Sequence, residues 1–205
     1  MKLLRRIAIA VVLVGLFAWW GMPRVLSGLG LHPECAAFDG RLDGRSALVV
    51  STSHGELGEG GAATGVASSE LTSAYYEFLD AGMDVDVASV RGGDIPVDPQ
   101  SLLWLVRSHY DDRYLEDPEL KAKVAESAAV GDVDLAAYDI VYLAGGWGAA
   151  FDLGTSAELA QGMTDAVAAN RVIGGVCHGP LGLLGAKAVD GSPFVLGRRL
   201  TAVTD

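Results

Sequence analysis

Four short apolar runs, each followed by glycine or small polar residues and separated by helical segments, constrain this chain more than any other feature. They are "SALVVSTS" (46–53), "VDVASV" (85–90), "DIVYLAGG" (139–146) and "VIGGV" (172–176). After the first run, Leu71, Ala74, Tyr75, Phe78 and Leu79 recur at helical spacing from Ser68, and Gly82 closes that helix. After the third, "TSAELAQGMTDAVAAN" opens with Thr/Ser capping chemistry and gathers Leu159, Met163, Ala166 and Val167 on one face. A polar insertion over residues 91–134 carries a helix in "DPELKAKVAESAA". A short apolar helix is expected after Cys177, and "RRLTAVTD" opens a further strand.

Strands alternating with helices predict an α/β fold with a mainly parallel sheet and helices on both faces. In such sheets ligands bind beyond the carboxyl ends of the strands. That rule selects the loop after Ser53, the "GGWG" after Ala144 and the Cys177-His178 pair, and predicts that all three converge.

The first residues, "MKLLRRIAIAVVLVGLFAWWGMPRVLSG", join a basic start to an uncharged apolar run from Ile7 to Met22. Residues 1–30 read as a membrane anchor or a signal segment, 31–45 as a linker and 46–205 as the folded domain. Trp19 and Trp20 suit a bilayer interface, Pro23-Arg24 end the run, and no good Ala-x-Ala cleavage site follows. The preferred expectation is a single-pass anchor, with Lys2, Arg5 and Arg6 in the cytoplasm and the domain outside it. The alternative is export after signal cleavage.

Half of the 205 residues are apolar and 20% are charged, as in a globular domain. Four of the 15 basic residues flank the apolar run, leaving 11 against 26 acids. An acidic body without a basic stripe argues against nucleic-acid binding. Two cysteines do not make a disulfide framework, although a Cys35–Cys177 bridge is conceivable in an oxidising compartment. No cluster has metal-ligand spacing. His32 and His109 show no partner spacing either.

Cys177 admits two readings from its context. Raised on a strand-to-helix elbow, its sulfur would stand near a helix N-terminus that favours the thiolate. In a core-like run it would be a buried, inert thiol. Neighbours on a regular strand face opposite ways, so His178 can orient or deprotonate the thiol only if the backbone turns sharply at Cys177. Otherwise His178 packs under a loop. Glu70 lies in the first turn of the helix from Ser68. There it serves the helix dipole, or faces the crevice as a proton carrier. Gly145 and Gly146 make either an ordinary turn or a place where backbone N–H groups meet a developing oxyanion. His54 reads as a crevice residue or as a solvent-facing loop histidine.

Taken in order, "ATGVASSE", "YEFLDAGMDVDVAS", "GGDIPVDPQSL", "YDIVYLAGGWGAAFDL", "VCHGPLGLL" and "GSPFVLGRRLTAVTD" resemble the DJ-1/PfpI superfamily. These pieces run over residues 47–205, and the match is nearest to its Hsp31-like, glyoxalase III-type branch. The resemblance implies a flavodoxin-like sandwich of class I glutamine amidotransferase architecture, with a homodimer as one assembly. By the same resemblance Cys177 is the nucleophile, His178 its neighbour and Glu70 the acidic partner. Gly145 and Gly146 line the oxyanion turn, with Trp147 at the pocket; His54 stays a candidate for the substrate side only by its place in the loop after the first strand. The implied activity converts methylglyoxal to lactate with neither cofactor nor metal. The partner is then a small aldehyde or other reactive carbonyl. The family also includes holding chaperones, stress sensors and cysteine hydrolases of amidase or peptidase type. Trp147 stands where many relatives carry histidine. The acid that orients the histidine in relatives would fall beyond Asp205, so the resemblance implies that the fold continues past this point.

Overall fold

Alternate residues of β1 (Ser46–Ser51) face opposite sides of a sheet, and each side carries its own core. Ala47 and Val49 join one cluster with Leu71, Tyr75, Val85 and Val87. Leu48 and Val50 join the other with Val141, Leu143, Leu159 and Met163. Burial on both faces is why the run is apolar without alternation. The computed structural model describes residues 2–22, 24–25, 29, 40–104 and 106–203.

The chain divides into two compact units, residues 1–39 and 40–205. In the first unit α1 (Lys2–Leu16) runs on as π-helical turns through Phe17–Gly21. Together Lys2–Gly21 makes 20 helical residues, 18 of which in a row average a mean hydropathy of 1.9, long and apolar enough to cross a bilayer. Signal sequences pass the same test. The Arg24 guanidinium lies 4.0 Å over the Trp20 ring and donates to the Trp20 carbonyl at 2.7 Å.

The second unit is an α/β sandwich built on five parallel strands in the order β3-β2-β1-β4-β5. The strands besides β1 are β2 (Asp84–Ser89), β3 (Ala128–Ala129), β4 (Ile140–Leu143) and β5 (Val172–Gly175). One face carries α2 (Ser68–Asp80) and the other α6 (Ala157–Ala168), which follows the single turn α5 (Ala149–Asp152). The Ser156 hydroxyl caps α6 by accepting from the N–H of Leu159 at 3.1 Å. Residues 40–45, read as linker, belong to this unit: Leu42 packs on the α2 core and donates its N–H to the Ala81 carbonyl.

The polar insertion holds more structure than its composition suggests. α3 (His109–Glu116) starts with a capping box between Ser108 and Asp111, and α4 (Pro118–Ala125) starts at the Asp117 cap with proline at its first position. The expected helix therefore stops at Ala125. The following Ala128–Ala129 becomes the fifth strand, paired with Ala88 and Ser89. The expected strand in "RRLTAVTD" does not form within 198–203. That segment returns to Cys177 instead, where Val203 donates its N–H to the Cys177 carbonyl at 3.0 Å. Cys35, His32 and Asp205 lie outside the described residues.

Candidate active site

The backbone does turn at Cys177. Its φ of +55° is left-handed, a conformation that costs a non-glycine residue about 1–3 kcal/mol and persists only when its surroundings enforce it. Three main-chain bonds do so here. Val176 donates to the Leu143 carbonyl, Gly179 to Val176, and Val203 to Cys177 itself. The turn brings the sulfur and the next side chain together, with Sγ 3.3 Å from Nδ1 of His178. His178 is buried, and its ring centroid lies 5.1 Å from that of Trp147, which stands exposed at the rim.

Glu70 arrives from the other half of the sheet on the first turn of α2. Its Oε2 accepts the Gly145 N–H at 2.9 Å, and its carboxyl is near enough to Cys177 for each group to affect the other's titration. Gly145 is glycine because the space is taken. A Cβ there would lie 2.6 Å from Glu70 Oε2 and 2.7 Å from the His178 nitrogen. Gly146 follows at φ +90°, again left-handed. The Gly145 N–H is therefore committed to Glu70, and the N–H groups that reach the sulfur belong to Gly146 and His178. Of the expected Gly145–Gly146 pair, Gly145 thus has its N–H turned to Glu70.

Burial pushes the Glu70 carboxyl above its usual range, while Cys177, the Gly145 N–H and the His178 charge pull it down. Burial also raises the Cys177 thiol. The Gly146 and His178 N–H groups oppose the rise, and the neighbouring Glu70 adds to it. The helix-terminus effect expected to depress the thiol is overridden. The following helical segment is only the 3-10 turn Gly179–Leu183, too short for much dipole. Two acids that each resist ionising side by side hold one proton between them over a broad pH range.

These groups face a cavity of about 380 Å³, whose walls include Ala67, Glu70, Gly146, Trp147, Cys177 and His178. Asp98, Gln100, Ser101 and Val203 complete it, and none of these four was singled out from sequence. A signal was present in Asp98-Pro99, the start of a capped turn. Asp98 accepts from the Gln100 N–H at 2.8 Å and the Thr64 hydroxyl at 2.9 Å. Ser101 Oγ accepts the Ser68 N–H at 2.9 Å, which ties this turn to the helix that carries Glu70. His54 does not belong to the cavity lining. Its Nε2 meets the Glu56 carbonyl at 2.5 Å and its ring stacks 4.2 Å from Phe151, so it organises its own loop. A cavity of about 460 Å³ beside α6 and β5 is lined by neither thiol, histidine nor carboxylate. Among the described residues no group of three or more His, Cys, Asp or Glu could hold a metal.

A nucleophilic thiol, a carboxyl sharing its proton and two N–H groups aimed at the sulfur can add to a carbonyl and move a proton on the adduct. The model of the DJ-1/PfpI family matches residues 62–203. The chain is 29% identical over 167 residues to the Schizosaccharomyces pombe protein named glutathione-independent glyoxalase hsp3101, covering 78% of this chain and 67% of that one. It resembles the crystal structure of glyoxalase III from Candida albicans with a TM-score of 0.70 and 25% identity, over 78% of this chain and 69% of that one. The Rapid Encystment Protein 24 KDa of Francisella tularensis is 35% identical with a TM-score of 0.68, over 74% and 66% of the respective chains. The chain thus spans about two thirds of the length of these relatives.

Proposed function

This chain belongs to the DJ-1/PfpI family, and we propose that it is a glutathione-independent glyoxalase that converts methylglyoxal or a similar small dicarbonyl to the 2-hydroxy acid. The observation that carries this reading is that the Cys177 thiol, with His178 3.3 Å from its sulfur, and the Glu70 carboxyl line one cavity. Glu70 as carboxylate takes the Cys177 thiol proton, and the thiolate adds to the aldehyde carbon. The new oxyanion meets the Gly146 and His178 N–H groups and takes that proton back from Glu70, giving a hemithioacetal. Glu70, again a carboxylate, removes the hydrogen from that carbon as a proton to leave an enediolate. The Glu70 acid then protonates the neighbouring carbon while the hydroxyl proton of the first carbon passes to the neighbouring oxygen. The product is a thioester of the 2-hydroxy acid, which water hydrolyses to free acid and thiol. The net change is addition of one water, with no outside oxidant or reductant. His178, buried against the sulfur, orients the thiol and trades protons with it.

The test is the full chain in detergent, supplied with methylglyoxal and no glutathione. Lactate should appear, and Cys177→Ala and Glu70→Gln should abolish it. No lactate from the native chain rejects the reading. Protection of an aggregating client that survives Cys177→Ala would instead favour a holding chaperone.

The same proposal places the protein in a membrane. Lys2–Gly21 is the anchor, Lys2, Arg5 and Arg6 stay in the cytoplasm, and the catalytic unit lies outside. The helix length, a mean hydropathy of 1.9 over 18 of its residues and the basic start support this. Alkaline extraction should leave the protein with the membranes. A shortened, freely soluble product would identify a cleaved signal instead.

A further inference from the structure

We infer that the buried Asp111 is a positioning residue for Glu70: through the hydroxyls of Ser68 and Thr72 it sets the angle at which the first turn of α2 presents its carboxyl to the Cys177 cavity. This rests on the reading of Glu70 as the proton carrier. Asp111 is 0% exposed, and its two carboxyl oxygens each receive two hydrogen bonds. Oδ1 accepts from the Ser68 hydroxyl at 2.5 Å and the Thr72 hydroxyl at 2.9 Å. Oδ2 accepts from the Ser108 N–H at 2.6 Å and the Ser108 hydroxyl at 2.8 Å. One side chain thus ties the helix that carries Glu70 to the start of α3 in the polar insertion.

The first turn of α2 needs such a hold. Its cap residue, Ala67, offers no side-chain hydrogen bond, and the Ser68 N–H is met instead by the Ser101 hydroxyl at 2.9 Å. Between Val66 and Leu71 no residue joins the apolar core, so packing grips the chain on either side of Glu70 but not at it. Ser68 and Thr72 are four apart and share a stripe of the helix, whereas Glu70, two from each, falls on the opposite side of the turn. Asp111 therefore grips the back of the turn whose front carries the carboxyl to the Gly145 N–H.

A buried carboxyl is a costly way to fill space, and among the described residues Asp111 forms no ion pair that would offset its burial. What its hydrogen bonds add over apolar packing is direction, since each fixes a distance and an angle to one named atom. Direction is what the proposed reaction demands of Glu70. The carboxyl must reach two adjacent carbons of one substrate, and a displacement of about 1 Å can lower such a rate by about 10²-fold.

Three variants of the full chain in detergent test this. Asp111→Asn alters the carboxyl itself. Thr72→Val keeps the side-chain shape and every charge but removes the hydroxyl, and Thr72→Ser keeps the hydroxyl. In Asp111→Asn, kcat for lactate formation should fall by about 10–10²-fold with KM for methylglyoxal nearly unchanged. Thr72→Val should fall by less, and Thr72→Ser should stay close to native. A second readout needs no lactate. Burial and the neighbouring Glu70 raise the Cys177 thiol, against the Gly146 and His178 N–H groups. In a Cys35→Ser background, the pH midpoint for alkylation of Cys177 by iodoacetamide should therefore drop in Asp111→Asn and Thr72→Val, as in Glu70→Gln. Thr72→Val should add nothing to the drop in Glu70→Gln. Variants that lower only the urea midpoint, with kcat and the alkylation profile native, make Asp111 a purely structural residue and overturn the inference. So does a loss of kcat with an unmoved alkylation midpoint, because the fault then lies away from Glu70. A shifted midpoint in a chain that forms no lactate keeps Asp111 as the hold on Glu70 and rejects the glyoxalase reading alone.

Discussion

Glu70 and Cys177 meet across one cavity but are held by unlike halves of the sheet. Glu70 stands on α2, whose inner face packs on β1 and β2 with Leu71, Tyr75 and Tyr76 almost fully buried. Cys177 follows β5, the edge strand, where Val172 is 61% exposed and Gly175 is open to solvent. The carboxyl is therefore placed by core packing. The sulfur is placed by a strained elbow and three main-chain hydrogen bonds. Packing fixes an element as a whole, whereas an elbow fixes a single residue, so the two halves should fail in different ways.

The largest effects fall where the halves touch. Cys177→Ala removes the proposed nucleophile, and Glu70→Gln keeps the shape but loses the proposed proton carrier. Each should lower kcat for lactate formation by about 10²–10⁴ or more while the urea midpoint changes little. A Glu70→Gln variant with near-native kcat would detach the two halves functionally.

Next come the supports. Leu71→Ala empties a buried site, and unfolding in urea should show a loss of about 2–5 kcal/mol. Val172→Ala, on the open edge, should stay within about 0.5 kcal/mol. Equal losses would mean that β5 is as well packed as α2 and would erase the contrast. Gly145→Ala lies between them. Its methyl must displace Glu70 Oε2 or the elbow backbone, with a cost of about 1–3 kcal/mol and a fall in kcat at an unchanged fold.

The smallest effect is the pH dependence of stability. Glu70 titrates above its ordinary 4.5 and Cys177 above its ordinary 9.0. A raised pKa contributes stability that is complete below the ordinary value and is lost as the pH climbs through the raised one. Relative to Glu70→Gln, the native chain should therefore lose ground as the pH rises above 4.5. Relative to Cys177→Ala it should lose ground above 9.0. Urea titrations at a series of pH values would show both trends, and a native chain that gains ground on raising the pH would reverse the sign.

What the sequence made legible follows the same division. β1, α2, β4 and α6 are long periodic or doubly buried runs, so their residues announce them. The site followed from one rule, that the carboxyl ends of parallel strands converge, and it brought Glu70, Gly146 and Cys177 together. Finer points lay beyond it. Whether Gly145 or Gly146 faces the sulfur depends on a hydrogen bond to a residue 75 positions away. The thiol's raised pKa reflects burial and a carboxyl neighbour that only the fold supplies. Ala128–Ala129 is a strand because β2 has a free edge there, not because two alanines favour one. His54 was drawn to the cavity by its place after β1, yet the Glu56 carbonyl and the Phe151 ring hold it elsewhere.

The central claim is that Glu70 carries a proton between the two carbons of a substrate held on Cys177. It is tested most directly by running the methylglyoxal reaction in heavy water and reading the lactate by NMR. A carboxyl shared with the thiol and open to the cavity exchanges its proton with solvent, so the account predicts deuterium on the carbon that bears the hydroxyl. Lactate that carries only protium at that carbon would mean that the hydrogen moved directly between the carbons, and would contradict it.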